Sequence, residues 1–329
     1  MKFLIDENDE NIRLDAYLSN LIADISRSKI QSAIKNGNVL INGEIKKPSH
    51  KLHEGDLIEF EPQAIEEVKI EPQNIPLDIV YEDENMLVVN KPSGMLTHPT
   101  TIERENTLVN ALLYKYGNNL SDINGEFRRG ILHRLDRNTS GLLMVAKNNK
   151  AHEFLTQQIK TKTAVRSYLA VVKGSVKDEE GVINLPIGRH PTQPHKMAVI
   201  EGGKPSITEY KVLERFKNAT FVELTLKTGR THQIRVHMSH FRTPVYNDTL
   251  YGARPEKCKT QEQVLQAYKL EFTKPFGDEI IKLQIEPDEK TRNDLNRKIQ
   301  IIINNIAKKP HIGIVSFVPD ERKEGGRYV

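Results

Sequence analysis

The first sixty residues combine a helical spacing of apolar positions with short strand-like runs. Leu14, Leu18, Leu21, Ile22 and Ile25 form one apolar face and predict a helix. A second, shorter helix is predicted from Ser26, a residue type that caps helix starts, to Gly37, a residue type that ends them. Apolar runs at 39–41 and 57–60 predict strands, and Asn42-Gly43 predicts a tight turn. Two helices and a small curved sheet should therefore form a compact unit.

After residue 60 the pattern changes twice. Residues 61–76 contain three prolines and no glycine, a composition typical of a stiff extended linker. A larger body follows, with a long polar loop predicted at 186–206 and a poorly ordered tail from residue 308. Its predicted strands are 86–89, 142–146, 164–172, 208–213, 220–226, 266–272 and 280–285. Its predicted helices are 107–116, 151–160 and 288–306.

Two dense polar segments interrupt the apolar pattern of this body. In the first, at 130–147, Asp136 lies between Arg134 and Arg137 with apolar residues on both sides. Taken alone, this local pattern favours a structural ion pair or a turn anchor over a catalyst. The second segment, at 227–240, contains arginine, glutamine and three histidines.

Composition and charge narrow the class of protein. The chain has 329 residues, a formal net charge of +4 and one cysteine, Cys258, which excludes an intramolecular disulfide. The acidic residues that follow the first five positions are unlike a signal peptide, and no apolar run approaches the roughly 20 residues of a membrane span. We expect a cytoplasmic protein. Between residues 26 and 51 the sequence has six basic residues and one acidic residue, Glu44, a pattern typical of a phosphate-binding surface.

Several chemistries fail on motif spacing. His232, His237 and His240 lack the spacing of a helical zinc site, so no metal is expected. Ser140 lacks the glycine-flanked elbow of a serine hydrolase. Leu135 interrupts the His-Arg-Asp pattern of a kinase loop, and no Gly-rich nucleotide-binding loop occurs, so no cofactor is expected.

Residues 11–60 resemble the S4 RNA-binding domain. The likeness rests on Arg13-Leu14-Asp15, Ser26-Arg27-Ser28-Lys29, the stretch 37–43 and Gly55-Asp56. The resemblance implies an RNA-binding surface on the second helix and the neighbouring turn. Its candidate residues are Arg27, Lys29, Lys35, Lys46 and Lys47.

The larger body resembles the RluA/RluD family of pseudouridine synthases from residue 77 to 306. His133-Arg134-Leu135-Asp136 followed by Thr139-Ser140-Gly141-Leu142 is similar to the segment around that family's catalytic aspartate. Residues 85–99 resemble its opening motif, and residues 229–237 its third motif. Arg166-Ser167-Tyr168 resembles its tyrosine motif, with serine where relatives usually have lysine.

This resemblance implies a fold, a set of roles and no need for a cofactor. The fold is α+β, an S4 domain plus a catalytic domain with a mixed, mainly antiparallel sheet. Asp136 would attack the sugar or remove a neighbouring proton to give a glycal, and the sequence leaves both routes open. Arg235 would keep Asp136 charged, and Tyr168 would stack on the detached uracil. The candidate RNA contacts in this body are His133, Arg134, Thr139, Arg230, His232 and Gln233.

The same resemblance implies a domain order and a partner. We expect an S4-like domain at 1–62, a linker at 63–76, a catalytic domain at 77–306 and a flexible tail at 307–329. The expected partner is structured large-subunit ribosomal RNA, and we expect a monomer that does not bind a membrane. The target base would be flipped out of its stack, and Arg134 would fill the vacated position. A transfer-RNA substrate, or a non-catalytic role in ribosome assembly, stays open.

Overall fold

A computed structural model describes residues 1–22, 25, 27–61, 69–100, 102–252 and 263–287. The chain folds into two compact units, Met1–Lys69 and Ile70–Val329. The boundary between them falls inside the linker predicted at 63–76. The helix predicted at 288–306, the tail at 307–329 and Ser26 lie outside the described residues, as do the side chains of Arg27 and Lys29.

The first unit contains two helices and a three-stranded antiparallel sheet. The elements are β1 (Lys2–Leu4), α1 (Leu14–Leu21), α2 (Arg27–Lys35), β2 (Val39–Ile41) and β3 (Leu57–Phe60), with sheet order β1-β3-β2. Asn42 and Gly43 both adopt positive φ in the turn after β2, as predicted. Strand β1 was not predicted, because three residues are too few to show an alternating pattern.

The core of the first unit joins the two helical faces to the sheet. Leu14 and Leu18 of α1, Ile30 and Ile34 of α2 and Phe60 of β3 are all at most 1% exposed and belong to one apolar cluster. Burying side chains of this size stabilises a fold by roughly 1.5–3 kcal/mol each. The predicted apolar stripe is therefore confirmed in part. Leu14 and Leu18 are core residues, but the helix ends at Leu21, which is 49% exposed, and Ile22 and Ile25 follow it as partly buried residues.

The second unit is a large sheet with helices around it. Its strands are β4 (Ile79–Glu82), β5 (Met86–Lys91), β6 (Ser140–Ala146), β7 (Val165–Lys173), β8 (Glu180–Asn184), β9 (Ile187–Arg189), β10 (Met197–Val199), β11 (Ile207–Arg215), β12 (Ala219–Leu226), β13 (Leu265–Thr273) and β14 (Ile280–Gln284). Its helices are α3 (Leu108–Tyr116), α4 (Asn149–Thr161) and α5 (Gln233–His240), with a short 3₁₀ turn at Glu126–Arg128.

Nine of these strands form one mixed sheet. Within the described residues the order is β4-β5-β6-β13-β7-β12-β11-β8, and β14 pairs with β13 off this path. The β6–β13 pair is parallel, while the remaining pairs of this sheet are antiparallel. The expected mixed, mainly antiparallel sheet is confirmed, and β6, β13 and β7 at its centre bring residues from distant motifs together.

A close backbone approach joins β6 to β13. Gly141 has φ +115°, and a Cβ atom there would lie 2.1 Å from the carbonyl oxygen of Ala267. Only glycine fits this position without moving a strand. The glycine at the start of β6 thus allows the central parallel pair to form.

Two stretches differ from the sequence-based expectation. The long loop predicted at 186–206 is wrong in part, because β9 and β10 pair in a small antiparallel hairpin of their own. Its polar, proline-rich residues hide the weak apolar alternation of such short strands. The chain at 70–76 lies along the second unit, where Ile70 is 6% exposed and Asn110 of α3 bonds the backbone of Glu71 and Gln73.

Candidate active site

The loop that carries Asp136 is fixed by the segment that follows β5. Thr97 Oγ1 donates to Leu135 O (2.8 Å) and accepts from Leu135 N (3.3 Å), so one hydroxyl holds both polar groups of that residue's backbone. Ser93 Oγ donates to Asn138 O at 3.0 Å. Because both flanks of Asp136 are bonded to the same neighbouring segment, its backbone is held in one place.

A buried lysine completes this clamp. Lys91 is 0% exposed, and its ammonium donates to the carbonyl oxygens of Pro92, Met95 and Arg137 at 2.8, 2.8 and 3.1 Å. Carbonyl dipoles stabilise a buried ammonium that would otherwise cost several kcal/mol. The bond to Arg137 ties the Asp136 loop to the end of β5.

Arg235 lies between two carboxylates. Its Nη1 is 2.8 Å from Asp136 Oδ2, a residue 99 positions away in the chain. Its Nε and Nη2 bond Asp248 Oδ2 and Oδ1 at 2.7 and 2.9 Å, and its guanidinium carbon lies 5.0 Å from the Tyr251 ring centroid. A bidentate pair of this kind fixes the plane of a guanidinium. Asp248 therefore orients Arg235, and Arg235 in turn holds Asp136.

Helix α5 places Arg235 through an unusual start. His232 precedes the helix with φ +56°, and the Gln233 side chain then accepts from Arg230 N (3.0 Å) and Thr228 Oγ1 (2.8 Å). Gln233 also donates to Thr208 Oγ1 at 2.9 Å. This network ties the first turn of α5 to β11. The polar segment at 227–240 therefore contains a helix whose first turn is fixed by side-chain hydrogen bonds.

The charges around Arg235 set its pKa and that of His232. Burial alone would lower the pKa of Arg235, but its hydrogen bonds with Asp248 and the charge of Asp136 raise it above the usual range. His232 Nε2 lies 3.9 Å from Asp136 Oδ1, and burial lowers its pKa despite that carboxylate. Arg235 is thus the permanent cation beside Asp136, and His232 is mainly neutral at neutral pH.

Tyr168 enters the same site from β7. It is 5% exposed, and burial raises its pKa, an effect that Arg166 opposes and Asp136 reinforces. Arg166 and Tyr168 are two residues apart on a strand, so their side chains project from the same face. The phenol is therefore protonated at neutral pH and close enough to both charges to sense them.

These residues line a cavity of about 580 Å³, large enough for a nucleoside-sized ligand. Among the described residues that line it, Asp136 is the one carboxylate. The lysines and arginines are Arg134, Lys160, Lys162, Arg166, Lys227, Arg230 and Arg235. A concave site with this excess of cations favours a polyanion as its ligand.

The other predicted contacts differ in how free they are to meet a ligand. His133, Arg134 and Thr139 line the cavity. His133 Nε2 accepts from Met144 N at 3.2 Å, and Thr139 Oγ1 accepts from Gln263 Nε2 at 2.6 Å. Arg134 is exposed, and the described part of the chain gives it no ion pair. Their contacts with RNA stay predictions.

The remaining predicted residues have mixed surroundings. Arg230 is half-buried, and its Nε donates to Pro205 O at 3.1 Å. Arg137, the other arginine beside Asp136 in sequence, pairs with Glu103 at 2.5 Å. His237 contacts Thr208 Oγ1 (2.9 Å) and Leu185 O (3.1 Å) through its two ring nitrogens. These two histidine contacts leave neither ring nitrogen for a metal.

Sequence reasoning missed three residues of this site. Asp248, Tyr251 and Arg166 lie within the contacts described above. The bend 247–252, with an aspartate flanked by turn residues, gave no local sign that it faces Arg235. Arg166 belongs to the tyrosine motif at 166–168 but received no role there, and its alternation with Tyr168 on one strand face was the available signal.

The first unit carries its own candidate RNA surface. Lys35 and Lys47 are exposed, while Lys46 Nζ lies 2.5 Å from Glu44 Oε2. The one acid of this stretch is therefore taken up by one lysine. Lys35 and Lys47 keep a positive surface available.

Comparison with known proteins supports both halves of the fold. A family model described as RNA pseudouridylate synthase matches residues 85–240, and the S4 domain model matches residues 12–58. An uncharacterised RNA pseudouridine synthase of Bacillus subtilis, YlyB, is 43% identical over 281 residues, covering 84% of this chain and 91% of the relative. A ribosomal large subunit pseudouridine synthase D of Haemophilus ducreyi is 41% identical over 283 residues, covering 82% and 86%.

The solved structures agree on the catalytic fold. The human RNA pseudouridylate synthase domain containing 1 protein aligns with a TM-score of 0.54 and 27% identity, covering 72% of this chain and 97% of the other. The sheet and its cleft thus define an RNA-modifying isomerase fold. This chain belongs to the RNA pseudouridine synthase family and carries an S4 domain.

Neither a metal-binding cluster nor a membrane-crossing helix occurs in the part of the chain that the structure describes. No group of three or more His, Cys, Asp or Glu side chains is arranged to hold a metal ion there. No described helix is both long and apolar enough to cross a membrane.

Proposed function

We propose that this enzyme isomerises specific uridines of large-subunit ribosomal RNA to pseudouridine, with Asp136 as the essential residue. The observation that carries the proposal is the Asp136–Arg235–Asp248 network at the wall of a basic cavity. The name of the Haemophilus relative supports the ribosomal substrate. RNA binds as a structured partner of a single copy of the chain.

The reaction needs one carboxylate that stays ionised and a cavity that excludes water. Arg235 stabilises the ionised form of Asp136, which then either bonds to the sugar carbon C1′ or removes the proton from C2′. Both routes break the N1–C1′ bond and leave the uracil in the cavity. After the base turns, C5 bonds to C1′. In the first route the Asp136–C1′ bond breaks at the same time, and in the second Asp136 returns its proton to C2′. C5 then loses its proton and N1 gains one, so Asp136 is again ionised and substrate and product have the same atoms.

The target nucleotide must leave its stack to reach Asp136. Flipping costs a few kcal/mol, which contacts to phosphates and to the base offset. In this proposal Arg134, which is exposed and lines the cavity two residues from Asp136, fills the vacated stack. Tyr168 packs against the detached base and relays the proton from C5.

Release of tritium from 5-tritiated uridine in ribosomal RNA tests the catalyst. Wild-type protein and an Asp278→Asn control, which changes an exposed turn between β13 and β14, are expected to release tritium at equal rates. Asp136→Asn is expected to release none while keeping its fold, because the amide can neither attack C1′ nor accept a proton. Equal release by Asp136→Asn would remove Asp136 as the catalyst.

The RNA class is tested with the same assay. Ribosomal RNA and transfer RNA are supplied separately, and release from the ribosomal substrate alone is expected. Release from transfer RNA alone would show that the substrate assignment is wrong. Absence of release from both, with tight binding retained, would favour the non-catalytic assembly role.

Salt titration tests the surface of the first unit. Replacing Lys35 and Lys47 together by glutamine is expected to lower the slope of log affinity against log salt by about 2, one for each lost phosphate contact. Lys2→Gln is the control, because Lys2 already contacts Glu59 at 2.6 Å. An unchanged slope in the double variant would contradict phosphate binding at this surface.

A further inference from the structure

Arg166 is a buried cation without a counter-ion. The residue is 6% exposed, and its Nε has no hydrogen-bond partner. Throughout the part of the chain that the structure describes, its guanidinium makes no hydrogen bond or ion pair. A buried charge left unpaired costs several kcal/mol, so such residues are retained where a ligand supplies the missing charge.

The guanidinium of Arg166 is directed towards the catalytic cavity. Arg166 lines this cavity together with Asp136 and Tyr168. A Cβ atom on Gly229 would lie 3.1 Å from Arg166 Nη1, so the absence of a side chain at Gly229 leaves room for the guanidinium. Two neighbours sense its charge, since after burial it is the next largest influence on the pKa of His133 and of Tyr168 and acts to lower both.

We propose that Arg166 neutralises the uracil anion that leaves the sugar, and is a further catalytic residue of this enzyme. The inference rests on the proposed function. When the N1–C1′ bond breaks, its electron pair stays on N1, and the negative charge spreads over N1, O2 and O4 of the ring. A guanidinium on the same strand face as Tyr168, which packs on the base, is placed to donate hydrogen bonds to one of these oxygens.

The step balances under both routes open to Asp136. In the first, Asp136 gains a bond to C1′ as N1 receives the electron pair. In the second, Asp136 gains the C2′ proton as a C1′–C2′ double bond forms and N1 receives the pair. Both routes leave the same uracil anion, so the role of Arg166 does not depend on which route is used. The uracil loses its negative charge when an electron pair of the ring forms the bond from C5 to C1′.

The burial of Arg166 favours the base over a backbone phosphate as its ligand. Lys160 and Lys162, at the end of α4, line the same cavity but are exposed, as suits contacts to phosphates in solvent. Arg166 is nearly inaccessible, so only a group that enters the cavity reaches it. A flipped base enters the cavity, while its phosphates stay at the rim.

The proposal is tested with the full chain and two RNA substrates, one with uridine and one with 5-fluorouridine at the target position. Fluorine withdraws electrons, so the departing base needs less help to carry its charge. Under single-turnover conditions at saturating RNA, Arg166→Met is expected to lose on the order of 10²-fold in glycosidic cleavage of uridine. It should lose clearly less with 5-fluorouridine, while RNA affinity changes by less than about twofold.

Two further variants and a melting measurement separate chemistry from structure. Arg166→Lys keeps the charge and is expected to restore part of the uridine rate. Lys160→Gln is the matched control, expected to weaken RNA affinity equally for both substrates. Because Arg166→Met removes an unpaired buried charge, its melting temperature should equal or exceed that of wild type.

Four results would overturn the proposal. These are an equal loss of rate with both substrates, a loss confined to RNA affinity, a lowered melting temperature of Arg166→Met, and the absence of rescue by Arg166→Lys. If the wild-type protein showed no activity on any RNA tested, the proposed function would be overturned, and this inference with it.

Discussion

Replacing Asp248 by asparagine should destabilise the catalytic unit. The Asp248 side chain is 0% exposed and its Arg235 partner 10%, so their bidentate ion pair is almost fully removed from water. Breaking a buried pair costs about 3–5 kcal/mol, because the remaining charge stays buried without compensation. We expect the low end, about 3 kcal/mol, since Asp136 still bonds Arg235 and the amide oxygen still accepts from the backbone N–H of Leu250.

The expected loss is large enough to measure by thermal unfolding. For a unit of this size, about 3 kcal/mol lowers the melting temperature by roughly 6–12 °C. Asp136→Asn is the comparison, because Asp136 is 17% exposed and makes a single bond to Arg235. It should cost about 1 kcal/mol and all activity, whereas Asp248→Asn should cost more stability and about 10–100-fold in rate through the displaced Arg235. A melting temperature for Asp248→Asn within about 2 °C of wild type would refute Asp248 as the support of Arg235.

Three further outcomes are expected from stability measurements. Burial lowers the pKa of His133 from 6.5 to about 3, so the unfolded chain binds a proton below pH 6.5 that the folded chain does not. Through this residue the unfolding free energy should fall by about 2 kcal/mol from pH 8 to pH 5, and His133→Asn should lack this loss. The same pH dependence of the unfolding free energy in both proteins, measured by urea denaturation, would contradict it. Gly141→Ala should lower the unfolding free energy by more than about 3 kcal/mol, because the added methyl group would overlap Ala267 O. A melting temperature equal to that of wild type would contradict the close approach. Thr97→Val should cost about 1–3 kcal/mol and slow the reaction, since both hydroxyl bonds to Leu135 are lost; unchanged melting and rate would show that the clamp is dispensable.

Periodicity predicted the elements whose apolar faces are long. Strands β6, β7 and β12 and helix α4 each bury a clear apolar pattern and lie where the sequence placed them. The hairpin of β9 and β10 was missed because three-residue strands in a polar segment carry too little pattern. Local propensity is also silent about pairing, so the parallel contact of β6 with β13 needed the structure.

The site could be predicted only in part for a similar reason. The local pattern around Asp136 suggested Arg134 or Arg137 as its partner, and the resemblance to a known family was needed to point to Arg235. Asp248 was not predicted as a site residue, because its role depends on a tertiary contact with Arg235 that no sequence spacing indicates. Charge pairing between distant segments is a property of the tertiary structure, and composition does not encode it.

The position of Arg235 between two acids has a consequence for turnover. In the proposed reaction Asp136 gives up its charge, either to a bond with the sugar or to a proton, and later recovers it. A guanidinium held by Asp136 alone would be free to swing away at that moment. Because Asp248 keeps two of its N–H groups engaged, the guanidinium stays in register through the whole cycle. The carboxylate thus regains its charge in a site that has not reorganised, and each uridine meets the same electrostatic field as the last.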